Sequence, residues 1–528
     1  MRSRNRSLWK TAASGRVFVQ KKLERPLVCR TPRKCRKSDK PVLKRGAARG
    51  RFGRRSLPKS VRATYRWVSV SAASVRTPTW STDMNRIAIV AQLITLAAGV
   101  AISGECRGDP VAALPPVSVV VLVAGNVWDG LADAALGPME IMVRDGRIAA
   151  MGRTVERPAG CRVVDLSKHT VTPGFIDCHV HVTMRPEDEG AIWALAPADK
   201  AVLGVQALRV LLDRGFTTVR DLCDMDFGGY TTVSLQRAVE KGLVTGPRMI
   251  VAAHLVSTSG GHGDARPLVA AQTPVAQNNL ADGVDEIRRV VRTEVSRGSQ
   301  WIKFGATGGF ASPADDPAQV PYSQAEIDAL VSTARDLGIP CTPHAYGDEG
   351  IRRSVMAGVR SVEHGSLASL ETLKLLEARG VFLVPTQIAV VRFARLIDDD
   401  AFWAAVNEPA HVRAKYRKHA TAILESARNL SNCGVKVALG SDFGTFPLAQ
   451  SNATEFAELV NNGLSIPRAL RAGTSVAAEL LMRDDIGILA VGKAADIIAM
   501  PGDPFDDITV TERVEFVMKG GVITKDFR

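Results

Sequence analysis

Short apolar runs alternate with amphipathic segments along most of this chain. From about residue 171 to 480, runs of strand length are followed by longer segments whose apolar residues recur with helical spacing. Strands are predicted at the segments TPGFIDCHVH, TTVRDL, RMIVAAHLV, WIKFGA, CTPHAYG, SVEHG, VFLVPTQ and VKVALGSD. Helices are predicted at residues 202–214, 283–297, 323–338 and 408–432. Eight strand-then-helix units over roughly 300 residues predict an α/β protein with a (β/α)8 TIM-type barrel, and a doubly wound open sheet is the competing architecture.

Two local signals mark element boundaries. Ser323 opens a helical segment and is followed three residues later by Glu326, which is the capping-box pattern at a helix start. The pair Asp145-Gly146 lies between two apolar runs and predicts a β-hairpin.

The barrel segment is flanked on both sides by short strands. Residues 117–170 and 481–528 contain short apolar runs separated by turn residues. We expect the two flanking segments to pack together as one small β-sandwich beside the barrel. The predicted domains are therefore a sandwich built from 117–170 and 481–528, and a barrel over 171–480.

The net positive charge of the chain is confined to its N-terminal segment. Residues 1–83 hold 24 Lys or Arg and three acids, a net charge of +21, and subtracting this from the total of +14 leaves −7 for the rest. This composition is typical of a disordered arm, which could bind nucleic acid or act as an Arg-rich transit peptide. A third interpretation, which we prefer, is a mis-assigned translation start.

Residues 84–103 have the pattern of a signal peptide. Met84 is followed by Asn85, Arg86 and an apolar run over 87–102, with small residues at 101 and 103. We therefore expect an extracytoplasmic protein, periplasmic or secreted, with no stable membrane insertion after cleavage and no nucleic-acid partner for the mature chain. An uncleaved anchor is the alternative, because the run is marginal for a membrane span of about 20 residues.

The eight cysteines do not predict a disulfide framework, and they form no C-x-x-C pair. Those within or near apolar runs are expected to be buried free thiols: Cys178, Cys223, Cys341 and Cys433.

Candidate chemistry begins with the two histidines of TPGFIDCHVH. His179 and His181 are two residues apart, so in a strand both imidazoles point to the same side and could hold one metal ion. Ionisable residues also lie within or at the ends of later predicted strands, namely Lys303, His344, His364 and Asp442. Because the active sites of such barrels lie at the C-terminal ends of the strands, we expect all six residues to converge there.

These motifs together resemble the metal-dependent amidohydrolase superfamily. The resemblance rests on TPGFIDCHVH, the buried Lys303, His344, Glu363-His364-Gly365, Gly440-Ser441-Asp442 and the C-terminal phrase GKAADIIAMPGDP. It covers residues 117–528. The segment STSGGHGD and the GATGG after Lys303 resemble more narrowly the prolidase-like and Xaa-Arg-type dipeptidases and carboxypeptidases, and ochratoxin-hydrolysing amidases look similar.

The resemblance implies a role for each matched residue. His179 and His181 would bind the more buried ion together with Asp442, and His344 and His364 would bind a second. Lys303 would be N-carboxylated and bridge the two ions, which are zinc by default, with manganese or cobalt as alternatives. An ion-paired Lys303 would instead indicate a site for one metal.

Four further residues are candidates for catalysis or substrate binding. His262, in the Gly-rich segment STSGGHGD, could donate a hydrogen bond to the scissile carbonyl. Tyr346 stands where relatives often have a second histidine in the H-A-H-G motif. Tyr322 and Arg266 are candidates for contacting a substrate carboxylate, although both residue types are common in ordinary loops. His254 is expected to be a core histidine.

The expected function is hydrolysis of the amide bond to a C-terminal amino acid, in a dipeptide or an N-acyl amino acid. A metal-bridging hydroxide would attack, and Asp442 would transfer its proton to the leaving amine. A cyclic amide or imidazolone hydrolase, or a deaminase, is the alternative within the superfamily, and a nucleic-acid-binding protein that uses the basic arm is the non-enzyme alternative. The expected partner is a small-molecule or dipeptide substrate, and the resemblance is compatible with a homo-oligomer.

Overall fold

A computed structural model describes residues 119–186, 192, 195–270, 272, 274–406 and 408–526 of the chain. The arm predicted at 1–83 and the signal peptide predicted at 84–103 lie outside the described residues. Export of the protein therefore stays a prediction.

The described strands and helices follow the alternation expected from the sequence. The strands are β1 (Val120–Val127), β2 (Met139–Arg144), β3 (Arg147–Gly152), β4 (Arg162–Pro173), β5 (Phe175–Val180), β6 (Phe216–Asp221), β7 (Arg248–Val251), β8 (Leu255–Val256), β9 (Ile302–Gly305), β10 (Cys341–Gly347), β11 (Ser361–Leu367), β12 (Phe382–Val384), β13 (Ile497–Pro501), β14 (Phe516–Lys519) and β15 (Val522–Lys525). The α-helices are α1 (Pro197–Asp213), α2 (Thr231–Glu240), α3 (Val284–Arg297), α4 (Gln324–Asp336), α5 (Asp348–Ala357), α6 (Leu370–Arg379), α7 (Gln387–Arg395), α8 (Asp400–Val406), α9 (Ala410–Asn429), α10 (Thr454–Asn461), α11 (Ile466–Ala472) and α12 (Ser475–Leu480).

The central strands are all parallel and form two sheets. One has the order β5-β6-β7 and the other β12-β11-β10-β9-β8. β5, β6, β7 and β9 to β12 are buried along almost their whole length, as expected when both faces of a parallel sheet are covered. The third predicted strand is interrupted at residues 252–254, which separates β7 from β8.

The eighth predicted strand, VKVALGSD, does not form a regular ladder. Its backbone nevertheless hydrogen-bonds to both sheets: Leu383 N–H of β12 donates to the Lys436 carbonyl at 2.9 Å, and Cys178 N–H of β5 donates to the Leu439 carbonyl at 2.8 Å. Asp442 has a φ of +62°, which takes the chain out of the extended conformation. The eight segments thus follow one another in the predicted order, but the described strands form two separate sheets and do not close into a barrel.

Strands from both ends of the described chain join one sheet of seven, in the order β15-β14-β13-β4-β1-β2-β3. Apolar side chains of both flanks share a core of their own, with Leu122, Ile141, Ile497 and Phe516 fully buried. The strands are hydrogen-bonded into a single sheet, so the two-layer sandwich stays a prediction. The predicted hairpin at Asp145-Gly146 is confirmed: both residues have positive φ, +51° and +75°, as a two-residue type I′ turn requires.

The capping box at the start of α4 is also confirmed. The Ser323 hydroxyl accepts a hydrogen bond from the Glu326 N–H, and the Glu326 carboxylate accepts one from the Ser323 N–H at 2.8 Å. Other helices differ from prediction at their ends. α1 begins at Pro197, a residue favoured in the first helical turn, and so starts before residue 202.

Replacing Ser323 with alanine is expected to destabilise the protein by about 1 kcal/mol, because the α4 N-terminus loses a capping acceptor. The measurement is the urea midpoint of unfolding followed by circular dichroism. Ser332→Ala, in the same helix, is the control, since that hydroxyl bonds only to the Ala329 carbonyl one turn earlier. Equal midpoints for the two variants would contradict the prediction.

The cysteines of the described residues are free thiols, of which Cys178, Cys223 and Cys341 are buried and Cys161 and Cys433 half-buried. Within the described part of the chain, no helix combines the length and apolar character that a membrane span needs.

Candidate metal centre

His179, His181 and Asp442 meet at the C-terminal end of β5. One potential ligand atom of each lies within 4.8 Å of the others. Asp442 Oδ1 is 3.4 Å from His179 Nε2 and 3.2 Å from His181 Nε2. The meeting point is set by the backbone, because Asp442 N–H donates to the His179 carbonyl at 2.9 Å. These three residues have the donor types and spacing of a metal site.

His344 and His364 lie next to this cluster, in the middle of β10 and β11. The His364 ring is 4.9 Å from that of His179 and 4.6 Å from that of His344, between ring centroids. All four imidazoles and Asp442 are at most 9% exposed. The structure therefore brings together five of the six residues that the sequence predicted to converge.

A second layer of contacts fixes which ring nitrogen faces the cluster. His179 Nδ1 is 2.9 Å from Glu363 Oε2, and His364 Nδ1 is 2.8 Å from the Thr386 hydroxyl. His181 Nδ1 is 3.2 Å from the Cys223 carbonyl. In His179 and His181 these contacts occupy Nδ1 and leave Nε2 toward Asp442, which is how metal-binding histidines are oriented in proteins.

Glu363 is itself held by a buried network. Its Oε1 accepts hydrogen bonds from Arg220 Nη2 at 2.7 Å, from the Thr342 hydroxyl at 2.6 Å and from the Ser361 hydroxyl at 3.0 Å. Arg220 and Glu363 are both fully buried, and the guanidinium lies over the Trp301 ring. Such a network holds the carboxylate, and with it the His179 ring, in one position.

Lys303 has no hydrogen-bond partner among the described residues. It lies in β9 with 2% of its surface exposed, and its Nζ is buried. Burial lowers the pKa of Lys303 to about 8, against the opposing charges of Glu363 and Asp442. An unpartnered buried ammonium is costly, and the amine is therefore the polar group of this site that most needs a further partner.

Burial and charge set the protonation of the cluster. Burial lowers the pKa of His364 to about 3 and lowers those of His179 and His344 well below their ordinary value. Burial also acts to lower the pKa of His181, but the hydrogen bond to Asp442 and the negative charges of Asp442 and Asp221 together raise it above its ordinary value. Burial acts to raise the pKa of Asp442, yet the neighbouring histidines bring it below its usual range.

This donor set fits divalent metal ions. Neutral imidazoles and an ionised carboxylate are the forms that bind metal. Lys303, as an ammonium, would repel the ions, whereas its N-carboxylated form would supply anionic oxygens and remove the unpartnered amine. His179, His181 and Asp442 would hold an ion, and His344, His364 and a carboxylated Lys303 are the candidates for further ligands.

The other predicted site residues lie in different surroundings. The His262 ring stacks on His344 with centroids 4.0 Å apart, and Tyr346 stacks on His364 at 4.8 Å. Tyr322 is 1% exposed, and its hydroxyl donates to the Ala281 carbonyl in the core. Arg266 is largely exposed and paired with Asp264. His262 and Tyr346 thus border the histidines, whereas Tyr322 and Arg266 are engaged elsewhere.

An aromatic wall extends from Tyr346. Phe310 lies edge-on to Tyr346 at 4.8 Å and stacks on Tyr416 at 4.1 Å, and Phe393 stacks on Tyr416 at 5.2 Å. Tyr416 belongs to α9 and Phe393 to α7, so these two helices cover this side of the site. His254 is a core histidine as predicted, bonded to Glu294 and to the Asp226 carbonyl.

Sequence reasoning assigned no role to Glu363, Arg220 and Thr386. A signal was present for the first two: each is a charged residue within a predicted strand, and a buried charge needs an opposite partner. Which two charges would pair could not be read from the sequence. Thr386 gave no such signal.

Replacing Glu363 with glutamine is expected to weaken metal binding about 10- to 100-fold, since the His179 ring loses its charged acceptor and Arg220 its counter-ion. Competition with a chelator of known affinity measures this. The control is Glu371→Gln, because Glu371 is 81% exposed in a surface pair with Arg352. If both variants retained metal as tightly as the unmodified protein, the network would have no influence on the site.

Comparison with known proteins places the chain among hydrolases. The sequence profile of the amidohydrolase family matches residues 170–524. Ochratoxinase of Aspergillus niger is 28% identical over 448 residues, covering 79% of this chain and 88% of the relative. A solved Xaa-Pro dipeptidase with methionine in its active site is 33% identical, with a TM-score of 0.70, and covers 77% of this chain and 100% of its own. A prolidase complexed with N-methylphosphonate-L-proline is 34% identical, with a TM-score of 0.70, and covers 78% and 100%.

Proposed function

The chain belongs to the amidohydrolase family, and on that premise we propose that it is a binuclear-metal hydrolase that cleaves the amide bond to a C-terminal amino acid. The substrates would be dipeptides or N-acyl amino acids. Zinc is the ion we propose, because histidine nitrogens and carboxylate oxygens are its common ligands.

The observation that carries the binuclear proposal is the unpartnered amine of Lys303. A site for one ion would use His179, His181 and Asp442 and leave Nζ buried without a partner. N-carboxylation gives this atom a function and joins the first three ligands to His344 and His364. Two bound divalent ions would activate a shared water as a nucleophile and polarise the scissile carbonyl.

The side chains have separate tasks in this proposal. Oδ1 of Asp442 faces the two imidazoles, and Oδ2 would accept the proton of the attacking water and pass it to the leaving amine. The neighbouring histidines hold the pKa of Asp442 below its usual range, which keeps the carboxylate ionised. His262, stacked on His344, would hydrogen-bond the scissile amide and orient it.

Two observations support a C-terminal amino acid as the leaving group. The two solved relatives hold methionine and a phosphonate derivative of proline, respectively, each of which carries an amino-acid moiety. The buried aromatic cluster of Tyr346, Phe310 and Tyr416 makes the surroundings of the histidines apolar, which would favour an apolar substrate side chain.

Metal analysis combined with a substrate panel tests the proposal. We expect two ions per chain, hydrolysis of dipeptides and N-acyl amino acids, loss of activity on chelation and recovery on adding zinc. The matched control substrates are the same compounds with the terminal carboxylate amidated. A metal-replete protein that cleaves only cyclic amides, or that deaminates bases, would overturn the choice of substrate. Salt-sensitive DNA binding by a metal-free protein would overturn the proposal that it is an enzyme.

A further inference from the structure

His262 lies in a position that only a glycine neighbour permits. A Cβ atom on Gly309 would lie 2.1 Å from His262 Nδ1 and 2.3 Å from Cε1. The chain after β9 therefore passes directly against the edge of the imidazole. This places residues 309–316, called here the 309–316 loop, in control of where the ring can lie.

Within this loop, Ser312 and Asp315 form a hydrogen-bond relay to the ring. The Ser312 hydroxyl is 3.0 Å from His262 Nδ1 and donates to Asp315 Oδ1 at 2.5 Å. A hydroxyl has one proton, and the carboxylate can only accept it. Ser312 therefore accepts from the ring, so the proton lies on Nδ1. Nε2 is left without a proton, so toward a substrate it can accept a hydrogen bond from an N–H but cannot donate one to a carbonyl, in contrast to the donor role predicted from the sequence.

Lys415 of helix α9 binds the loop through hydrogen bonds and an ion pair. Lys415 Nζ donates to the Gly309 carbonyl at 2.8 Å, also to the Ser312 carbonyl, and pairs with Asp315 Oδ1 at 3.2 Å. The side chains of Lys415 and Asp315 are only 12% and 7% exposed. Lys415 thus neutralises the buried carboxylate and ties together the three residues that surround the His262 edge.

We propose that Asp315 and Lys415 are positioning residues, which act through Ser312 to hold the His262 ring against Gly309 with its proton on Nδ1 and Nε2 toward the substrate. This rests on the proposed function, in which His262 contacts the scissile amide. The relay would make α9 part of the catalytic apparatus, although none of its residues needs to touch the metal ligands to exert this effect.

A double-mutant cycle separates positioning from a purely structural role. In the unmodified background, Asp315→Asn is expected to lower kcat/KM about 10- to 100-fold, mainly in kcat, with metal content unchanged. In the His262→Ala background the same substitution should change kcat/KM by less than about 2-fold, because its effect is transmitted through the missing ring. An equal loss in both backgrounds, or no loss in either, would overturn the proposal.

Asp316→Asn is the matched control for the loop. Asp316 pairs with Lys418 and His419 of the same helix but belongs to no contact with His262. This variant should retain kcat/KM within about 2-fold.

Ser312→Ala and Ser312→Thr provide a second cycle if Asp315→Asn does not fold. Ser312→Ala should lose as much kcat/KM as is expected for Asp315→Asn, and Ser312→Thr, which keeps the hydroxyl, should restore activity. A threonine no better than alanine would contradict the relay.

A readout without substrate keeps the relay testable even if the proposed function fails. Imidazole ¹⁵N shifts of histidine-labelled protein, assigned with His262→Ala, report which ring nitrogen bears the proton. We expect an Nδ1 proton in the unmodified protein and in Asp316→Asn, and its loss in Ser312→Ala. An Nε2-protonated ring in the unmodified protein would overturn the relay. Inactivity of the unmodified protein toward the whole amide panel would overturn only the function.

Discussion

Replacing Asp442 with asparagine is expected to lower kcat for amide hydrolysis by about 10³-fold or more. A positioned general acid or base contributes roughly 10²- to 10⁴-fold, and Asp442 would be a metal ligand as well. The variant loses the proton acceptor and the negative charge that faces His179 and His181. Steady-state kinetics on the best dipeptide of the panel, with metal content measured on the same sample, gives the result.

Asparagine is the informative replacement because of the backbone. Asp442 has a φ of +62°, a left-handed conformation that asparagine tolerates and alanine does not. Asp442→Ala would therefore remove the carboxylate and also strain the backbone, whereas Asp442→Asn removes the carboxylate alone. Thermal unfolding of both variants separates the two effects. Retention of kcat within 10-fold by Asp442→Asn would exclude this residue as the proton carrier.

Replacing Lys303 with alanine is expected to reduce the metal content from two ions per chain to one. Without the amine, CO₂ cannot be captured as a carbamate, and the second ion keeps only His344 and His364 as protein ligands. Polarisation of the carbonyl by a metal is worth several kcal/mol, and each 1.36 kcal/mol is a factor of ten, so activity should fall by about 10³-fold. Elemental analysis and kinetics on the same preparation measure both effects.

A chemical rescue and a matched variant sharpen this prediction. A short carboxylate such as acetate, added to Lys303→Ala with excess zinc, should restore part of the second ion and part of the activity. Lys303→Arg keeps a cation but has no amine that forms a stable carbamate, so it should bind one ion or none and show no rescue. Reconstitution of the metal-free unmodified protein should accelerate with bicarbonate. Two tightly bound ions in Lys303→Ala would show that the lysine is not a ligand.

Most secondary structure and the main ligand candidates could be predicted from the sequence because their signals are local. The alternation of strands with helices, the hairpin at Asp145-Gly146 and the capping box at Ser323 depend on residues a few positions apart. The pairing of His179 with His181 is of the same kind, since strand geometry alone directs both side chains to one face.

The candidate site required more than local pattern. The expected barrel predicted that ionisable residues of its strands would converge. It did not predict which residues would hydrogen-bond to them. Arg220 lies in β6 and Glu363 in β11, which belong to different sheets, so their pairing depends on how the two sheets are placed relative to each other. The relay from His262 through Ser312 to Lys415 joins a loop to a helix about a hundred residues later in the chain.

The sequence by itself determined the order of the central strand segments, the positions of several helices, and which ionisable residues lie in or after those segments. Only the tertiary structure decided that both chain ends share one seven-stranded sheet, that VKVALGSD contacts two sheets without forming a regular strand, and that Tyr322 faces the core. The physical reason is the distance along the chain over which each interaction acts. Backbone periodicity and turn chemistry act over a few residues, whereas register, loop path and the pairing of buried charges are set by the packing of segments far apart in the chain.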